Sequence, residues 1–287
     1  MSYAARHPDL FGAALAYSEA PDIAYDPDTR VAAESIIAGT EIALDHVPAN
    51  SIFGNPLTDF VNWAAHDPAT LPDNLRSTKL YMYFGNGVPG RYDVGHPPNA
   101  EASALEALTS RDNIDFHNRL TALGVSNVYR PYGNGTHSWP YWARDLRWSL
   151  PAIMADFAHP APPPARFTYT SGDAADSIYG WRVALHRAIR EFSTLRSAGA
   201  GGFVMRGSGT ATVITPPHTG PALSTRSRSI LWKRTCAGVC APIDTVASES
   251  PCRSPDTEQE YALGPPPGHS PPATTDSTRV MVSRSDR

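Results

Sequence analysis

The chain has 287 residues, of which 18% are charged, and 24 basic against 28 acidic side chains give a net charge of −4. No broad basic face is available for phosphates, so the composition argues against a nucleic-acid partner. No apolar run approaches the roughly 18 residues of a membrane helix, and the first twenty residues do not resemble a signal peptide. All three cysteines lie beyond residue 235, which excludes a disulfide scaffold or a zinc cluster in the body of the chain.

Composition divides the sequence into four segments. Residues 1–158 carry periodic apolar patterns, and residues 159–165 contain four prolines, which predict a stiff linker. Residues 166–216 alternate bulky and polar side chains between glycines, which predicts a small β-rich domain. Residues 217–287 show no apolar repeat at helix or strand spacing, so we expect a disordered tail there. The change of character near residue 217 would also fit a shift of reading frame in the gene.

Within residues 1–158 the apolar patterns predict helices and strands in alternation. In chain order they give a helix ending at His7-Pro8, strands at 11–18 and 79–84, a helix at 102–124 interrupted around 110–113, a strand at 127–132 and a helix at 139–157. Continuous apolar strands alternating with helices are typical of an α/β fold with a parallel sheet covered on both faces. In the β-rich segment, Trp181, Val183, Phe192 and Leu195 are the candidate core.

Three segments follow the predicted strands, and ligands of such sheets bind beyond the carboxyl ends of the strands. They are Ser18–Asp22, Gly85–Asp93 and Gly133–Trp139. The last contains His137 between a strand and a helix, where an α/β-class hydrolase holds its general base. His137 is therefore the first candidate catalytic residue.

A histidine base needs a carboxylate that precedes it in the chain, and several acids qualify. The candidates are Asp93, Glu101, Glu106, Asp112 and Asp115. Glu106 stands among alanines and leucines, so it is the acid that we expect to be most desolvated; the alternative is an ordinary solvated helix carboxylate. The nucleophile of this class should come first, on a Gly-x-Ser-x-Gly turn. Residues 1–158 contain no such motif, and Ser2 and Ser18 lack the flanking glycines.

Several of these segments resemble one family. Residues 1–18 resemble the helix and strand after the nucleophile turn in the esterase-D-like and mycolyltransferase branch of the α/β-hydrolases. Asn113-Ile-Asp-Phe116 and Gly133-Asn-Gly-Thr-His-Ser-Trp-Pro-Tyr-Trp142 resemble the mycolyltransferases of mycolate-producing actinobacteria, and Tyr83-Phe-Gly-Asn-Gly87 matches their strand end before the acid. The similarity covers about residues 1–158. The β-rich segment, especially 207–213, is similar to an extension of some longer members.

The resemblance implies an α/β-hydrolase fold without its N-terminal strands, with His137 as base, Glu106 as acid, Glu101 as a weaker substitute and Trp139 beside the acyl or sugar pocket. It implies serine-type acyl transfer or ester hydrolysis through an acyl-serine intermediate, as in mycolyltransferases and diacylglycerol acyltransferases, with trehalose, a glyceride or water as acceptor and no metal or cofactor. Substrates would be lipid or glycolipid esters, and the location extracellular or in the cell wall. The family's nucleophilic serine would fall about six positions before Met1, so we expect this chain to be inactive.

Two rival hypotheses stay open at this stage. A noncatalytic module could hold cell-wall glycan on the aromatic cluster of Trp139, Tyr141 and Trp142. A metal hydrolase could instead use His66, Asp67, Asp93 and His96.

Overall fold

A computed structural model gives the fold of residues 1–216 and of three further strands at 229–234, 259–262 and 281–283. The chain forms two compact units: residues 1–164 with 170–172, and residues 165–169 with 173–287. Among the helices of these described residues, none is both long and apolar enough to cross a bilayer.

The first unit contains a three-stranded parallel sheet and five α-helices in its described residues. In chain order these are α1 (Ser2–Arg6), β1 (Ala13–Tyr17), α2 (Pro27–Ala43), α3 (Phe60–Ala65), β2 (Lys79–Phe84), α4 (Ala100–Ala122), β3 (Asn127–Pro131) and α5 (Trp139–Ala158), with 3-10 turns at Pro68–Thr70 and Pro72–Ser77. The strand order is β1-β2-β3, and both pairings are parallel. The carboxyl ends of all three strands therefore lie at one edge.

The central strand β2 shows why helices cover both faces of this sheet. Its Tyr81 and Tyr83 point to one side, where they pack with Ile153 of α5. On the other side Phe84 packs against Tyr129 of β3, and the Tyr129 ring stacks on His117 of α4. A strand buried on both faces reads as a continuous apolar run, as the sequence of β2 does.

Helix α4 differs from its prediction because it runs without the interruption expected around residues 110–113. Asn99 caps it by accepting a hydrogen bond from the Ala102 N–H. The polar residues that suggested a break have tertiary partners instead: Asp112 accepts from the Thr29 hydroxyl, and Asn113 donates to the Glu19 carbonyl. Satisfied in this way, they can stay in the helix interior.

Helix α2 was not predicted from the apolar pattern. Its start is nevertheless encoded locally, because the Asp26 side chain accepts from the Thr29 N–H and Pro27 stands at the first helical position. The two buried residues of the helix, Thr29 and Glu41, are polar, whereas Val31 is 61% and Ile42 58% exposed. The apolar residues of α2 therefore do not mark its buried side, and a search for apolar residues at helical spacing does not find this helix.

Gly39 in α2 provides a test of local stability. A Cβ added there would meet no atom within 4 Å, and the backbone is not in the left-handed region. We expect Gly39→Ala to raise the unfolding free energy by about 0.5–1 kcal/mol, because alanine loses less conformational freedom in a helix. Urea unfolding followed by circular dichroism measures this. As a control, Gly124→Ala should not stabilise, because Gly124 has φ +66°; an unchanged or lower value for Gly39→Ala would contradict the prediction.

The second unit is built from antiparallel strands. They are β4 (Arg166–Ser171), β5 (Ala175–Ile178), β6 (Trp181–His186), β7 (Ser193–Gly199), β8 (Gly202–Arg206), β9 (Gly209–Ile214), β10 (Ser229–Arg234), β11 (Gln259–Ala262) and β12 (Met281–Ser283). They form two sheets, in the orders β12-β10-β9-β6-β5 and β11-β8-β7-β4. Trp181, Val183 and Leu195 are buried in the core of this unit, whereas Phe192 is partly exposed.

Strands β10, β11 and β12 lie in the segment for which the sequence predicted disorder. Strand β10 pairs with β9 from Ser229 to Arg234, and β11 pairs with β8. The structure differs from the prediction at these three strands, because each is short and is defined by its pairing with another strand, which no local repeat reveals. The rest of 217–287 lies outside the described residues.

Candidate active site

The loops that follow the three parallel strands meet at the carboxyl edge of the sheet. The Asn86 N–H donates to the Gly133 carbonyl at 2.9 Å, and the Gly87 N–H donates to the Gly135 carbonyl at 3.0 Å. These bonds join the loop after β2 to the loop after β3. Ser18, the first residue after β1, donates from its backbone N–H to the Tyr83 carbonyl. The three segments singled out by sequence therefore share one site.

His137 and Glu106 contact each other in this site. The imidazole Nδ1 lies 3.1 Å from Glu106 Oε2. Glu106 is fully buried in α4, and the His137 side chain is 22% exposed. The His137 backbone N–H donates to the Ala102 carbonyl, one turn before Glu106 on the same helix. If Glu106 is ionised, Nδ1 carries the proton and donates it, which leaves the Nε2 lone pair free to accept one.

The other oxygen of Glu106 accepts from three groups. The Gly85 N–H and the Ser18 hydroxyl, at 2.8 Å, donate to Oε1, and the Tyr132 hydroxyl makes a longer contact of 3.4 Å. A buried carboxylate is costly unless it is hydrogen bonded. These donors directly follow the ends of all three strands. They hydrogen bond Oε1 of the buried carboxylate, and Oε2 contacts the imidazole.

Tryptophan side chains of α5 complete the surroundings of the imidazole. The Trp142 ring lies edge-on to His137 with centroids 4.9 Å apart, and its Nε1–H donates to the Ser18 hydroxyl at 3.2 Å. The Trp139 ring is 5.0 Å from that of Trp142 and is 78% exposed. The Trp142 ring therefore lies against the imidazole, and the exposed Trp139 ring lies against that of Trp142.

A buried ion pair lies behind Tyr132. Arg144 binds Asp145 at 2.7 Å, and its guanidinium lies 3.8 Å from the centre of the Tyr132 ring and 4.3 Å from that of Trp148. Burial raises the pKa of the Asp145 carboxyl; Arg144 opposes this shift, and the charge of Glu106 adds to it. The pair therefore places a delocalised cation against the tyrosine that contacts Glu106.

The other candidate acids lie elsewhere. Glu101 is exposed in the first turn of α4, so it does not reach the imidazole as a substitute for Glu106, and Asp115 is also exposed. Asp112 is buried against Thr29 of α2. Asp93 lies in the loop after β2 and accepts from the Thr136 hydroxyl beside His137.

Three residues of the metal-hydrolase hypothesis have side-chain partners outside the set, and the fourth, His96, donates its backbone N–H to the Asp93 carbonyl. His66 Nδ1 contacts the Asn62 carbonyl, Asp67 accepts from the Thr70 hydroxyl, and Asp93 accepts from Thr136. Among the described residues no three histidine, cysteine or acidic side chains are grouped to hold a metal ion.

Three residues that donate to Glu106 were not predicted in that role: Ser18, Gly85 and Tyr132. Ser18 and Gly85 begin two of the segments that the sequence singles out, but nothing in the sequence indicates that they contact Glu106. Each is the first residue beyond a strand, which is the signal that could have identified them. Ser18 also has φ +58°, which is unusual for serine and directs the chain sharply away from β1.

A histidine–carboxylate pair at the carboxyl edge of a parallel sheet, held between a strand and a helix, is the arrangement of α/β-hydrolases. Residues 1–153 match the profile of the family described as "Putative esterase". Because the match covers more than half of the chain, this protein belongs to that esterase family.

The chain is also similar to individual mycobacterial proteins. It is 43% identical over 101 residues to the diacylglycerol acyltransferase/mycolyltransferase Ag85C of Mycobacterium avium, covering 34% of this chain and 27% of the relative. It is 32% identical over 159 residues to the Ag85A enzyme of Mycobacterium ulcerans, covering 54% and 43%. The solved structure of Mycobacterium tuberculosis MPT51 (FbpC1) matches 54% of each chain at 26% identity, with a TM-score of 0.42. The aligned part is less than half the length of these two enzymes.

Proposed function

We propose that this chain carries the general base and the supporting acid of a serine-type acyl-transfer or ester-hydrolysis site. The observation that carries the proposal is the 3.1 Å contact between His137 Nδ1 and the fully buried Glu106. In such a reaction a serine hydroxyl attacks the ester carbonyl while His137 Nε2 takes its proton. The imidazolium then returns the proton to the leaving alcohol, and Glu106 stabilises the charged ring in between.

The substrate class follows from the relatives and from the surroundings of His137. Relatives named diacylglycerol acyltransferase/mycolyltransferase support lipid or glycolipid esters as acyl donors. A sugar such as trehalose, a glyceride or water would accept the acyl group. Trp139, exposed beside the imidazole, would line the acyl or sugar pocket. Enzymes that act on such cell-wall lipids work outside the cell, so we place this function in the cell wall or the extracellular space.

The described residues do not supply a nucleophile to this base. No serine hydroxyl among residues 1–216 is hydrogen bonded to the His137 imidazole, and Ser18, which contacts the same Glu106 side chain, is buried and donates to that carboxylate. Without a nucleophile an acyl-transfer site of this type loses turnover by about a millionfold. We therefore expect the 287-residue chain by itself to show no histidine-dependent hydrolysis of a nitrophenyl ester.

Proton NMR tests the base–acid pair directly. A proton held between Nδ1 and a carboxylate gives a low-field resonance, which we expect in the full chain and expect to lose in Glu106→Ala and in His137→Gln. Glu101→Ala is the matched control, because Glu101 lies on the same helix but is exposed. Absence of the resonance from the unsubstituted chain, or its survival in Glu106→Ala, would contradict the proposed roles. Ester turnover abolished by His137→Gln would overturn only the expected inactivity.

The exposure of Trp139 also supports a second candidate function, a noncatalytic module that binds cell-wall glycan. Indole rings stack on sugar faces whether or not a nucleophile is present. Titration of trehalose into the chain, monitored by tryptophan fluorescence, distinguishes the glycan-binding function from the acyl-transfer function. Binding that is unaffected by Glu106→Ala and His137→Gln but lost in Trp139→Ala would favour the glycan-binding function.

A further inference from the structure

Asp93 connects three separate pieces of the first unit through one carboxylate. It lies in the loop between β2 and α4 and is partly buried. Its Oδ2 accepts from the Gly90 N–H at 2.7 Å and from the Tyr141 hydroxyl at 2.6 Å, and its Oδ1 accepts from the Thr136 hydroxyl at 2.7 Å. The bond to Gly90 closes a local turn. The other two bonds reach the loop after β3 and the first turn of α5.

The two distant donors stand next to the base–acid pair. Thr136 directly precedes His137 and is buried. Tyr141 is fully buried, and its ring lies parallel to that of Tyr132, with centroids 5.7 Å apart and an interplanar angle of 4°. The Tyr132 hydroxyl in turn contacts Glu106. The partners of Asp93 therefore lead to His137 along one path and to Glu106 along the other.

The chemistry of these contacts favours an ionised carboxylate. All three partners are assigned as donors to the two carboxyl oxygens, an arrangement that suits an ionised carboxylate, which accepts on both oxygens and has no proton of its own to place. Burial raises the pKa of the Asp93 carboxyl, but the hydrogen bonds from Tyr141, Gly90 and Thr136 outweigh this and hold the pKa below its usual range. Asp93 is thus charged at neutral pH, and charge-assisted hydrogen bonds are stronger than neutral ones.

We propose that Asp93 is a positioning residue, which ties the Thr136–His137 turn to α5 and so keeps the imidazole against Glu106. The inference rests on the proposed function of His137 and Glu106. A purely local role would need only the bond to Gly90. Fixing the turn restricts the imidazole to the orientation in which Nδ1 faces the carboxylate and Nε2 stays free for a substrate proton.

Exchange of the Nδ1 proton with solvent measures this role in the full chain. Asp93→Ala removes the bonds from Thr136 and Tyr141 together, and we expect it to increase the exchange rate of the low-field His137 proton about tenfold, which corresponds to about 1.4 kcal/mol of lost restraint on the imidazole. Asp93→Asn, which keeps one accepting oxygen, should show a smaller increase. Thr136→Val and Tyr141→Phe each remove one donor and should each raise the rate, even if Asp93→Ala fails to fold. Asp73→Ala is the control, because Asp73 is exposed and pairs only with Arg76.

The outcomes separate this inference from the proposed function. A low-field proton that is lost in Glu106→Ala but exchanges equally in the unsubstituted chain, Asp93→Asn, Thr136→Val and Tyr141→Phe would overturn the positioning role and leave the base–acid pair intact. The lack of that proton in the unsubstituted chain would overturn both. Faster exchange in the Asp93, Thr136 and Tyr141 variants, but not in Asp73→Ala, would support the positioning role.

Discussion

The chain is expected to unfold at lower urea concentration at pH 8 than at pH 5, because two carboxyl groups of its first unit are buried and form no ion pair with any described residue. They are Asp67, beside the 3-10 turn at 68–70, and Asp112 in α4. Their side chains are 0% and 1% exposed. Ionising a buried carboxyl costs free energy unless a cation or several donors stabilise the charge.

Burial is the main cause at both positions, and neighbouring acids add to it. It raises the pKa of Asp67 to about 7, with a further contribution from the charge of Asp22; hydrogen bonds from Thr70, Ala69 and Ile23 oppose the shift without cancelling it. It likewise raises the pKa of Asp112 to about 7, opposed by the Thr29 hydroxyl. Arg111, the neighbour of Asp112 in sequence, binds Asp26 and Asp28 instead.

The sign of the pH effect follows from these directions. Between the usual pKa of an aspartate, about 3.9, and the folded value near 7, the folded state binds more protons than the unfolded state. The free energy of unfolding therefore falls as the pH rises through this window, by about 1.4 kcal/mol per pH unit for each group. The full loss for one such group is about 4 kcal/mol, a large fraction of the stability of a typical domain.

Urea unfolding at several pH values, followed by circular dichroism of the helices, measures this slope. Every helix among the described residues lies in the first unit, so the signal reports on the right part of the chain. Asp67→Asn and Asp112→Asn should each reduce the slope of the unfolding free energy against pH by the contribution of one carboxyl group, about 1.4 kcal/mol per pH unit. Asp73→Asn, at an exposed carboxylate, should leave it unchanged. Equal slopes in all four proteins would show that neither buried carboxyl titrates in this window.

The sequence was sufficient for the sheet and for part of the site, for reasons that particular residues make clear. The run from Lys79 to Phe84 predicts β2 at the bounds observed, because a strand buried on both faces is a continuous apolar run, which here follows Lys79 and ends before Gly85. His137 could be singled out because it lies between a strand and a helix. The apolar neighbours of Glu106 indicated that this carboxyl would be the least solvated of the candidates.

What the sequence did not reveal depends on contacts between distant residues. The hydroxyl of Ser18 gives no local sign that it donates to a carboxylate 88 positions later. The burial of Asp112 became clear only with α2, whose Thr29 covers it. The pairing of β11 with β8 likewise joins residues that lie far apart in the chain and is not marked by a local repeat.

Gly85→Ala is expected to disrupt the contacts of Glu106, although glycine there has ordinary backbone angles. An added Cβ would lie 2.6 Å from the Gly135 carbonyl oxygen and 3.1 Å from Glu106 Oε1. The Gly135 carbonyl cannot easily move away, because it accepts from the Gly87 N–H. Either the loop that carries His137 or the Glu106 side chain must therefore shift.

Both shifts are costly. Overpacking a tight site costs about 1–3 kcal/mol, and weakening the bond from the Gly85 N–H to the buried carboxylate costs about 1.5–3 kcal/mol. We expect Gly85→Ala to lower the unfolding free energy by about 3 kcal/mol and to remove the low-field His137 proton. Gly12→Ala is the matched control, since Gly12 precedes β1 and a Cβ there would meet no atom within 4 Å.

Urea unfolding of the two variants measures the loss of stability, and proton NMR shows whether His137 still contacts Glu106. If Gly85→Ala unfolds at the same urea concentration as Gly12→Ala and keeps the His137 proton, the close approach of the loops after β2 and β3 does not hold the base–acid pair together. If stability falls but the proton persists, the loop has yielded and the contact between His137 and Glu106 is independent of it. Loss of both is expected, because the backbone N–H that supports Glu106 and the carbonyl that limits the His137 loop meet at this one glycine.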